Sequence, residues 1–296
     1  MAFKSGFITV IGRPNVGKST LVNRMAKEKI SIISDKPQTT RNTIKTIITE
    51  QDSQIILIDT PGIHRPKNKL GEYMVNIAKA TLNEVDLVVY IVEANEPKPG
   101  PVEMDIINQL KDIKTPIILV INKIDLVKKE QVLSVIDTYS KLLNFLHIIP
   151  VSALQNEGID ILLEEIKKAL PEGPKYFPDD MVTDQTERVL VAELIREKML
   201  HLLSDEVPHG VGVEVISFKE REDKQIIDIQ ANIYCEKESH KGIIIGKEGK
   251  MLKKIGSLAR EEIENLLGSK VFLELWVKAK KDWRNSASML KTLGYN

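Results

Sequence analysis

Residues 12–19 read Gly-Arg-Pro-Asn-Val-Gly-Lys-Ser, and they follow directly on the apolar stretch Phe7 to Ile11. Glycines spaced in this way, between a strand and a helix, let backbone N–H groups surround phosphates, and the positive end of the helix faces the same point. The pattern therefore predicts a phosphate-binding loop. A chance glycine–lysine turn is the alternative, which the strand–loop–helix context disfavours. The predicted phosphate-binding residues are Gly12, Asn15, Val16, Gly17, Lys18, Ser19 and Thr20.

Two side chains of this loop have specific predicted roles. The ammonium group of Lys18 is expected to neutralise the β- and γ-phosphates, and the Ser19 hydroxyl is expected to ligate magnesium. Asp59-Thr-Pro-Gly62 then follows the apolar strand Ile55 to Ile58. A carboxylate at the end of that strand can reach the magnesium shell, and the Gly62 amide can contact a γ-phosphate. The sequence thus predicts a nucleoside triphosphate site with Mg²⁺.

Short apolar strands alternate with helical stretches from residue 7 to about residue 170. Fully apolar strands between helices are typical of a sheet that is covered on both faces. Only five polar residues separate Ile44–Thr49 from Ile55–Ile58, too few for a crossover helix, so this pair is predicted to form an antiparallel hairpin at one edge of an otherwise parallel sheet. The other predicted strands are Phe7–Ile11, Asp86–Val92, Ile117–Ile121 and His147–Val151.

Asn122-Lys-Ile-Asp125 follows the strand Ile117–Ile121 and indicates which base is bound. The Asp125 carboxylate can accept hydrogen bonds from N1–H and the exocyclic amine of guanine, whereas adenine would leave it buried and unpaired. Asn122 is expected to support the base and the neighbouring loops, and the stem of Lys123 to pack over the base plane. The sequence therefore predicts GTP and GDP rather than ATP. Backbone N–H groups for the guanine carbonyl are expected from Ser152, Ala153 and Leu154.

Residues 171–185 change the character of the chain, because four prolines and glycines and three aspartates fall within them. This composition is typical of a solvated linker. We therefore predict a nucleotide-binding domain over residues 1–172, a linker over 173–185 and a second domain over 186–296. The second domain is expected to be α+β, with the order helix, strand, strand, helix, helix, strand, and a closing helix over 281–293.

Gly246-Lys-Glu-Gly249 joins two predicted helices of the second domain. In KH domains a Gly-x-x-Gly loop lets the backbone approach the sugar-phosphate chain of RNA, and the element order resembles their type II arrangement. A plain helix–helix turn is the alternative. Residues 237–254 carry six lysines against two glutamates, which favours phosphates, although a solvated helix face would read the same way. The predicted RNA-binding residues are Ile245, Gly246, Lys247, Glu248, Gly249, Lys250 and Lys253.

Phe272 and Trp276 lie on one face of the last predicted strand, Val271–Val277, since residues alternate between the two faces of a strand. The aliphatic residues of this strand lie on the other face, which is the expected core face. We interpret both aromatic residues as packed inside the domain. Stacking of RNA bases on their rings is the alternative interpretation.

The composition of the whole chain is ordinary for a globular protein. The 296 residues carry 42 basic and 42 acidic side chains, so the formal net charge is zero and only a local surface can attract nucleic acid. The one cysteine, Cys235, excludes an internal disulfide framework and fits a reducing cytosol. It is in phase with the apolar residues of its strand, which predicts a buried thiol.

Together these motifs resemble the translation-factor class of GTPases, and more closely the Era family. The resemblance rests on residues 12–19, Pro37-Gln-Thr-Thr-Arg41, Asp59-Thr-Pro-Gly-Ile-His64, Asn122-Lys-Ile-Asp125 and the layout of the second domain, so it covers nearly the whole chain. It implies an α/β P-loop GTPase domain with a mixed, mostly parallel sheet, followed by an α+β type II KH domain. It also implies a cytoplasmic factor that binds small-subunit ribosomal RNA near its 3′ end during maturation of the small ribosomal subunit.

The polar segment Gln38 to Arg41 is expected to be ordered by GTP and released after hydrolysis. A hydroxyl in this segment would complete the magnesium shell when the γ-phosphate is present. The choice of Thr40 over Thr39 rests in part on the family resemblance. The predicted magnesium ligands are therefore Ser19, Thr40 and Asp59.

Ile63 occupies the position where many GTPases carry a glutamine that orients the attacking water, so slow intrinsic turnover is predicted. Similar GTPases without the glutamine use a monovalent cation, held partly by an asparagine of the phosphate loop, and Asn15 stands at that position. Potassium held near the phosphates is one hypothesis; the alternative is that Asn15 only bonds loop backbone groups. His64 and Arg65 are interpreted as solvated loop residues. The predicted catalytic residues are Asn15, Lys18, Thr40 and Gly62.

Three other functions fit parts of the sequence. The second domain could be the protein-docking module of a signalling switch, which specific RNA binding would exclude. The helix predicted at 186–203 could attach the protein peripherally to the inner face of the cell membrane, although its glutamates oppose anionic lipid. A nucleotide kinase would share the phosphate loop, but Asn122 to Asp125 argues against it. We expect a cytoplasmic monomer, with peripheral membrane association left open.

Overall fold

The computed structural model describes residues 2–63, 65–221 and 225–295. The chain forms two compact units. The first comprises Met1–Ile33, Thr40–Pro66 and Met74–Asp184, and the second comprises Ser34–Thr39, Lys67–Tyr73 and Gln185–Asn296. Two short segments of the N-terminal half therefore belong in space to the second unit, which no pattern in the sequence indicated.

One six-stranded sheet forms the centre of the first unit. Its strands are β1 (Lys4–Ile11), β2 (Ile44–Thr49), β3 (Ser53–Asp59), β4 (Leu87–Glu93), β5 (Ile117–Asn122) and β6 (His147–Pro150). Their order is β2-β3-β1-β4-β5-β6. Neighbouring strands are parallel except β2 and β3, which form the predicted antiparallel hairpin at one edge. The mixed, mostly parallel sheet is thereby confirmed.

Helices cover both faces of this sheet. They are α1 (Lys18–Ala26), α2 (Lys69–Ala80), α3 (Pro101–Lys111), α4 (Lys129–Ser140) and α5 (Ile159–Ala169). Buried side chains of α1 and α5 pack on one face, and those of α3 and α4 pack on the other. Each fully buried aliphatic side chain contributes about 1.5–3 kcal/mol relative to exposure. Burial on both faces explains why β4 is continuously apolar from Leu87 to Val92.

The carboxyl ends of the parallel strands carry the predicted motifs. The phosphate loop follows β1, Asp59 is the last residue of β3, and Asn122 is the last residue of β5. Parallel strands end at the same edge of a sheet, where ligands of open α/β folds bind. The topology therefore brings segments that are far apart in sequence to one place.

The segment predicted as a solvated linker, residues 173–185, lies against the first unit as far as Asp184. Gly173 N donates to Phe3 O at 3.0 Å, and Ile47 N of the edge strand donates to Val182 O at 2.9 Å. The buried amide of Gln54 accepts from the backbone N–H groups of residues 176 and 177 at 2.8 and 3.0 Å. Prolines and glycines stop regular structure locally, but the remaining backbone groups still need partners, and the sheet edge supplies them.

The second unit has the predicted order of elements, α6 (Glu187–Leu202), β7 (Gly212–Glu220), β8 (Ile226–Cys235), α7 (Glu238–Ile245), α8 (Lys250–Leu267) and β9 (Lys270–Ala279). The strands pair as β7-β8-β9, with β7 antiparallel and β9 parallel to β8. Apolar side chains of α6 and α8 pack on one face of this sheet, and Cys235 is buried among them. The α+β KH arrangement is confirmed. Within the described ranges, no helix is long and apolar enough to cross a membrane.

The prediction of one closing helix over 281–293 is wrong. The structure has a single 3-10 turn, Trp283–Asn285, and then a short helix, α9 (Ala287–Thr292). Trp283 is fully buried and its Nε1 donates to Gly210 O at 2.8 Å, which holds the turn in place. Ser286 starts the new helix by accepting a hydrogen bond from Met289 N. A serine cap of this kind separates two elements that share one apolar pattern.

Residues 34–39 pack on α6 within the second unit. The ammonium group of Lys36 donates to Leu200 O and Leu203 O at the C-terminus of the helix, where carbonyl groups lack helical partners. The buried guanidinium of Arg196 donates to Gln38 O at 3.5 Å and also to Thr39 O. Two cations therefore fix the backbone of this segment.

Candidate functional site

Close approach of other groups explains why the first and the sixth residue of the phosphate loop, Gly12 and Gly17, are glycines. Gly17 has φ of 99°, and a Cβ atom there would lie 2.4 Å from Nδ2 of Asn122. A Cβ atom on Gly12 would lie 2.6 Å from the carbonyl oxygen of Ile91. Asn15, between them, has φ of 66°, in the left-handed region that asparagine tolerates better than most residues. The loop can therefore keep this shape only with residues of these types.

Lys18 lies beneath the loop and is buried. Its Nζ donates to Arg13 O at 2.9 Å and to Gly12 O at 3.2 Å. Burial lowers the pKa of Lys18 to about 8, against the opposing effect of the Asp59 carboxylate. A phosphate beside the ammonium group would favour its charged form again. The residue is thus placed for an anionic ligand at the mouth of the loop.

The three predicted magnesium ligands converge. Ser19 Oγ lies 2.9 Å from Thr40 Oγ1, which donates to Asp59 Oδ2 at 3.4 Å. The other carboxylate oxygen, Asp59 Oδ1, is buried and has no hydrogen-bond partner among the residues that the structure describes. Burial raises the pKa of Asp59, and a dication would favour its charged form. One carboxylate and two hydroxyls, completed by phosphate oxygens, suit Mg²⁺.

The hydrogen bonds of the structure also distinguish Thr40 from Thr39. The Thr39 hydroxyl donates to Lys36 O at 2.6 Å and is therefore engaged within its own segment. The Thr40 side chain is buried beside Ser19 and Asp59. The structure thus brings Thr40, and not Thr39, beside the other two predicted magnesium ligands.

Residues that follow β3 lie against the phosphate loop. Ile63 N donates to Gly12 O at 3.3 Å, and a Cβ atom on Gly62 would lie 2.9 Å from Pro14 N. The Ile63 side chain is buried in the core beside α3 and α4, so it cannot orient a water molecule. Arg65 is largely exposed, as predicted. His64, interpreted as a solvated loop residue, lies outside the described residues.

Asn122 joins two loops of the predicted guanine site. Its Nδ2 donates to Val16 O at 2.8 Å, and its Oδ1 accepts from Ala153 N at 3.0 Å. Lys123 Nζ donates to Asn15 O at 2.9 Å, and Lys123 has a left-handed φ of 65°. The buried amide therefore holds the phosphate loop at a set distance from residues 152–154.

The predicted base-reading carboxylate is half-buried and held by a serine. Ser152 Oγ donates to Asp125 Oδ1 at 2.5 Å. The same hydroxyl accepts from Gln155 N at 3.1 Å, which shapes the loop. Leu154, the last residue of the predicted base-binding segment, is exposed. One Asp125 oxygen is oriented by this bond, as recognition of a guanine edge requires.

Arg24 belongs to this site, although no sequence signal indicated it. Its Nε and Nη2 donate to the carbonyl oxygens of Ala153 and Leu154 at 3.0 and 3.1 Å. These bonds hold the Ser152–Leu154 loop in place. Ser152 N and Ala153 N already donate to Glu157 O and Asn122 Oδ1, so Leu154 N is the one predicted donor for the guanine carbonyl that no described hydrogen bond engages. A single arginine in the last turn of α1 has no local pattern that reveals a partner 129 positions away.

The predicted RNA-binding loop connects α7 to α8 in a strained conformation. Gly246, Glu248 and Gly249 have φ of 71°, 53° and 74°. A Cβ atom on Gly246 would lie 2.7 Å from Met251 Cβ, whereas one on Gly249 would meet nothing within 4 Å. Gly246 is therefore required by packing, and Gly249 leaves its backbone open to a ligand. Four charged side chains around it are exposed: Lys247, Glu248, Lys250 and Lys253.

A groove of about 490 Å³ runs from this loop along α8 to β9. Its floor is apolar, with Leu252, Leu273 and Leu275, and Lys253 and Arg260 line it as cations. Phe272 also lines the groove and is 50% exposed. An apolar floor with aromatic and cationic walls suits bases and their phosphates.

The interpretation of Phe272 and Trp276 as core residues is wrong. They are 50% and 40% exposed, whereas the alternating aliphatic residues of β9 pack into the core as predicted. The buried side chains of α6 and α8 cover the opposite face of this sheet, and the two rings lie outside that core. Aromatic character alone could not distinguish a buried from an open face, because the difference depends on which faces the helices cover.

Comparison with known proteins finds the same two kinds of domain, a GTPase domain and a KH domain. A family model described as a 50S ribosome-binding GTPase matches residues 7–123, and a KH domain model matches residues 206–284. The GTPase Era of Ruminiclostridium cellulolyticum is 65% identical over 295 residues, covering 100% of this chain and 98% of that protein. The GTPase Era of Clostridioides difficile is 56% identical over 295 residues, covering 99% of each.

Two solved structures resemble this chain along its length. One is a crystal structure of Era in complex with MgGDPNP and nucleotides 1506–1542 of 16S ribosomal RNA, with 41% identity and a TM-score of 0.96. The other is a variant of Aquifex aeolicus Era bound to GDP and AlF4⁻, with 41% identity and a TM-score of 0.95. Each alignment covers 99% of both chains.

Proposed function

This chain belongs to the Era family of GTPases, and from that premise we propose that it binds the 3′ region of small-subunit ribosomal RNA during assembly of the small ribosomal subunit. It hydrolyses GTP to GDP and phosphate, with Mg²⁺ as the cofactor. The observation that carries the proposal is the open Gly246–Gly249 loop above a groove with an apolar floor and cationic sides. The similar structure of Era contains nucleotides 1506–1542 of 16S ribosomal RNA, which is RNA of the small subunit.

The described contacts assign roles in the nucleotide reaction. Lys18 would neutralise the phosphates, and Ser19, Thr40 and Asp59 would hold Mg²⁺, which supplies positive charge at the reacting phosphate. The Gly62 N–H would contact the γ-phosphate. Because Ile63 is buried and aliphatic, no side chain at that position orients water. Turnover without a further stimulus is therefore expected to be slow.

RNA would bind through the second unit in two ways. The Gly249 backbone and the exposed lysines would contact phosphates, which gives affinity that falls as salt concentration rises. Bases would enter the groove and stack on Phe272, which gives sequence preference with hydrogen bonds to base edges. The description of the GTPase family model names the 50S subunit, but that model covers only the nucleotide-binding segment.

Fluorescence anisotropy with two labelled oligoribonucleotides tests the proposal. One has the sequence of the 3′ end of small-subunit ribosomal RNA, and the other is a shuffled sequence of the same composition. The first is expected to bind at least about tenfold more tightly. Gly246→Asp with Gly249→Asp should abolish this preference while GDP binding stays normal. Equal binding of both oligonucleotides, or preference retained in the double variant, would contradict the proposal.

Sedimentation with purified subunits separates the assembly role from RNA binding alone. The GTP-loaded protein should co-sediment with small subunits and leave large subunits unbound. Association with large subunits instead would remove the proposed place in small-subunit assembly. A protein that binds neither subunit nor RNA would favour the protein-docking alternative for the second unit.

We also propose that K⁺ near the phosphates stimulates hydrolysis, with Asn15 as one ligand. Support comes from the left-handed conformation of Asn15 in the phosphate loop and from the apolar, buried Ile63. A cation there would stabilise negative charge that develops on the transferred phosphoryl group. Turnover measured in KCl and NaCl at equal ionic strength decides this point. Equal rates in the two salts would favour the alternative, in which Asn15 only forms hydrogen bonds with backbone groups of the loop.

For location and assembly we propose a cytoplasmic monomer. The apolar side chains of α6, including Val191, Ile195 and Met199, lie in the core of the second unit, so the folded helix has no apolar face for a bilayer. Flotation with anionic vesicles should leave the protein in the lipid-free fraction, and light scattering should give the mass of one chain. Flotation at physiological salt would instead support peripheral association with the inner face of the membrane.

A further inference from the structure

The sequence assigned no role to Arg13, yet its side chain contacts three carboxylates. One Nη2 atom lies 2.6 Å from Glu93 Oε2 and 2.6 Å from Glu96 Oε1, and Nε lies 2.7 Å from Glu103 Oε1. Glu93 and Glu103 are each only 7% exposed, whereas Glu96 is half-exposed at the rim. An arginine in the phosphate loop is thus fixed from several sides to the end of β4 and to α3.

Glu93 is the member of this cluster that contacts two motifs. Its Oε2 pairs with Arg13 of the phosphate loop, and its Oε1 pairs with Lys123 of the guanine motif. Lys123 Nζ donates in addition to Asn15 O, back in the phosphate loop. Glu93 ends β4, the strand between β1 and β5, so one carboxylate lies between the two loops that hold the two ends of a nucleotide.

Charge explains why the two ion pairs of Glu93, with Arg13 and with Lys123, form a rigid connection. A buried carboxylate is costly unless cations and hydrogen bonds compensate it, so Glu93 holds both partners in a narrow range of positions. Arginine presents several donors in a fixed plane, which sets the direction of the Arg13 contact. The Lys123 stem is predicted to pack over a guanine base, and its ammonium end is anchored at Glu93 and at Asn15 O.

We propose that Glu93 is a positioning residue for guanine nucleotides, which sets the distance between the phosphate loop and Lys123 through two ion pairs of one carboxylate. Its charge acts on nucleotide affinity and not on the chemical step, since it touches neither the phosphate ligands nor the magnesium residues. Loss of the charge raises the KM for GTP and the Kd for GDP and leaves kcat nearly unchanged. The inference rests on the GTPase activity and is independent of RNA binding.

Glu103 provides a matched control. It is as buried as Glu93 and pairs with the same Arg13, but no contact among the described residues joins it to Lys123. A network that served only stability would respond alike to Glu93→Gln and Glu103→Gln. A positioning role for Glu93 predicts different responses in nucleotide affinity at similar losses of thermal stability.

Stopped-flow binding of a fluorescent GDP analogue, steady-state GTPase kinetics and thermal melting test this on the full chain. Glu93→Gln should raise the Kd for GDP and the KM for GTP by about tenfold or more, with kcat within about twofold. Glu103→Gln should keep the Kd for GDP within about twofold of wild type, even if it lowers the melting temperature as much as Glu93→Gln does. Equal effects of the two variants on affinity, or wild-type affinity in Glu93→Gln, would overturn the proposal.

A second variant covers the case in which Glu93→Gln fails to fold. Arg13→Gln with Glu93→Gln and Glu103→Gln removes the cation together with both buried carboxylates that it pairs, so neither carboxylate is left buried without its cation. Lys123 still loses its carboxylate, and Kd should remain raised by about tenfold. Glu93→Asp retains the charge and should recover part of the affinity. Wild-type affinity in this triple variant would show that Lys123 does not need its ion pair with Glu93.

Discussion

The hydroxyl oxygens of Ser19 and Thr40 lie 2.9 Å apart, although the residues are 21 positions apart in the chain. Ser19 is in the first turn of α1, and Thr40 is in the segment that leads to β2. The Asp59 carboxylate lies 3.4 Å from the same Thr40 oxygen. Three oxygen atoms from three parts of the first unit thus surround one point beside the phosphate loop.

Thr40→Val should weaken the response to Mg²⁺ in the GTP state, because it keeps the side-chain shape and removes the hydroxyl. We expect single-turnover hydrolysis to slow by about 10–100-fold, with GDP affinity changed little. A magnesium titration of the single-turnover rate measures the effect. Thr39→Val is the matched control, since that hydroxyl bonds Lys36 O, and it should hydrolyse GTP within about threefold of wild type. Equal losses in both variants would contradict the assignment of Thr40.

The lowered pKa of Lys18 predicts that nucleotide affinity depends on pH. The free protein loses the Lys18 proton as pH rises through about 8, whereas bound phosphate favours the protonated form. Affinity for GDP should therefore be nearly constant below that pH and fall above it, by at most about tenfold per pH unit. Binding should take up a proton in the same range.

Titration calorimetry in buffers of different ionisation enthalpy measures this proton uptake. It should be close to zero near pH 7 and rise toward one proton near pH 9. Lys18→Arg is the control, since a guanidinium stays charged throughout this range and the uptake should vanish. Uptake that is absent in the wild-type protein near pH 9 would show that the Lys18 pKa is not lowered.

Asp125→Asn should change which base is bound. The carboxylate is expected to accept from the guanine N1–H and amine, and an amide cannot accept both, so GDP affinity should fall by about 100-fold or more. Xanthine carries a carbonyl in place of the amine, to which the new amide nitrogen can donate, and XDP should bind more tightly than GDP. Competition of XDP, GDP and ADP against a fluorescent nucleotide measures this order. Retained preference for GDP would mean that Asp125 does not contact the base edge.

Phe272→Ala and Lys253→Ala should weaken RNA binding in different ways. Removal of the exposed ring should cost about 1–3 kcal/mol of stacking and leave the salt dependence unchanged. Removal of the lysine should lower the slope of log affinity against log salt by about one. Anisotropy titrations at several salt concentrations separate the two effects. A steep loss of thermal stability in Phe272→Ala would instead restore the interpretation of that ring as a core residue.

The sequence by itself determined the order of elements as far as β9, the hairpin edge of the first sheet and the positions of the nucleotide motifs. These features depend on local periodicity and on residue types next to strand ends, such as Gly17 after β1, Asp59 at the end of β3 and Asn122 at the end of β5. Parallel strands then bring those ends together without further information. Their spacing along the chain was therefore sufficient to predict a guanine-nucleotide site.

Only the tertiary structure decided which other side chains meet that site. The ion pairs of Glu93 with Arg13 and Lys123, and the bonds from Arg24 to Ala153 and Leu154, join residues from different elements. The path of residues 173–184 along the sheet edge and the exposure of Phe272 likewise depend on which surfaces the packed helices leave uncovered. Such contacts are set by side-chain direction and packing over long sequence distances, and local patterns carry no information about either.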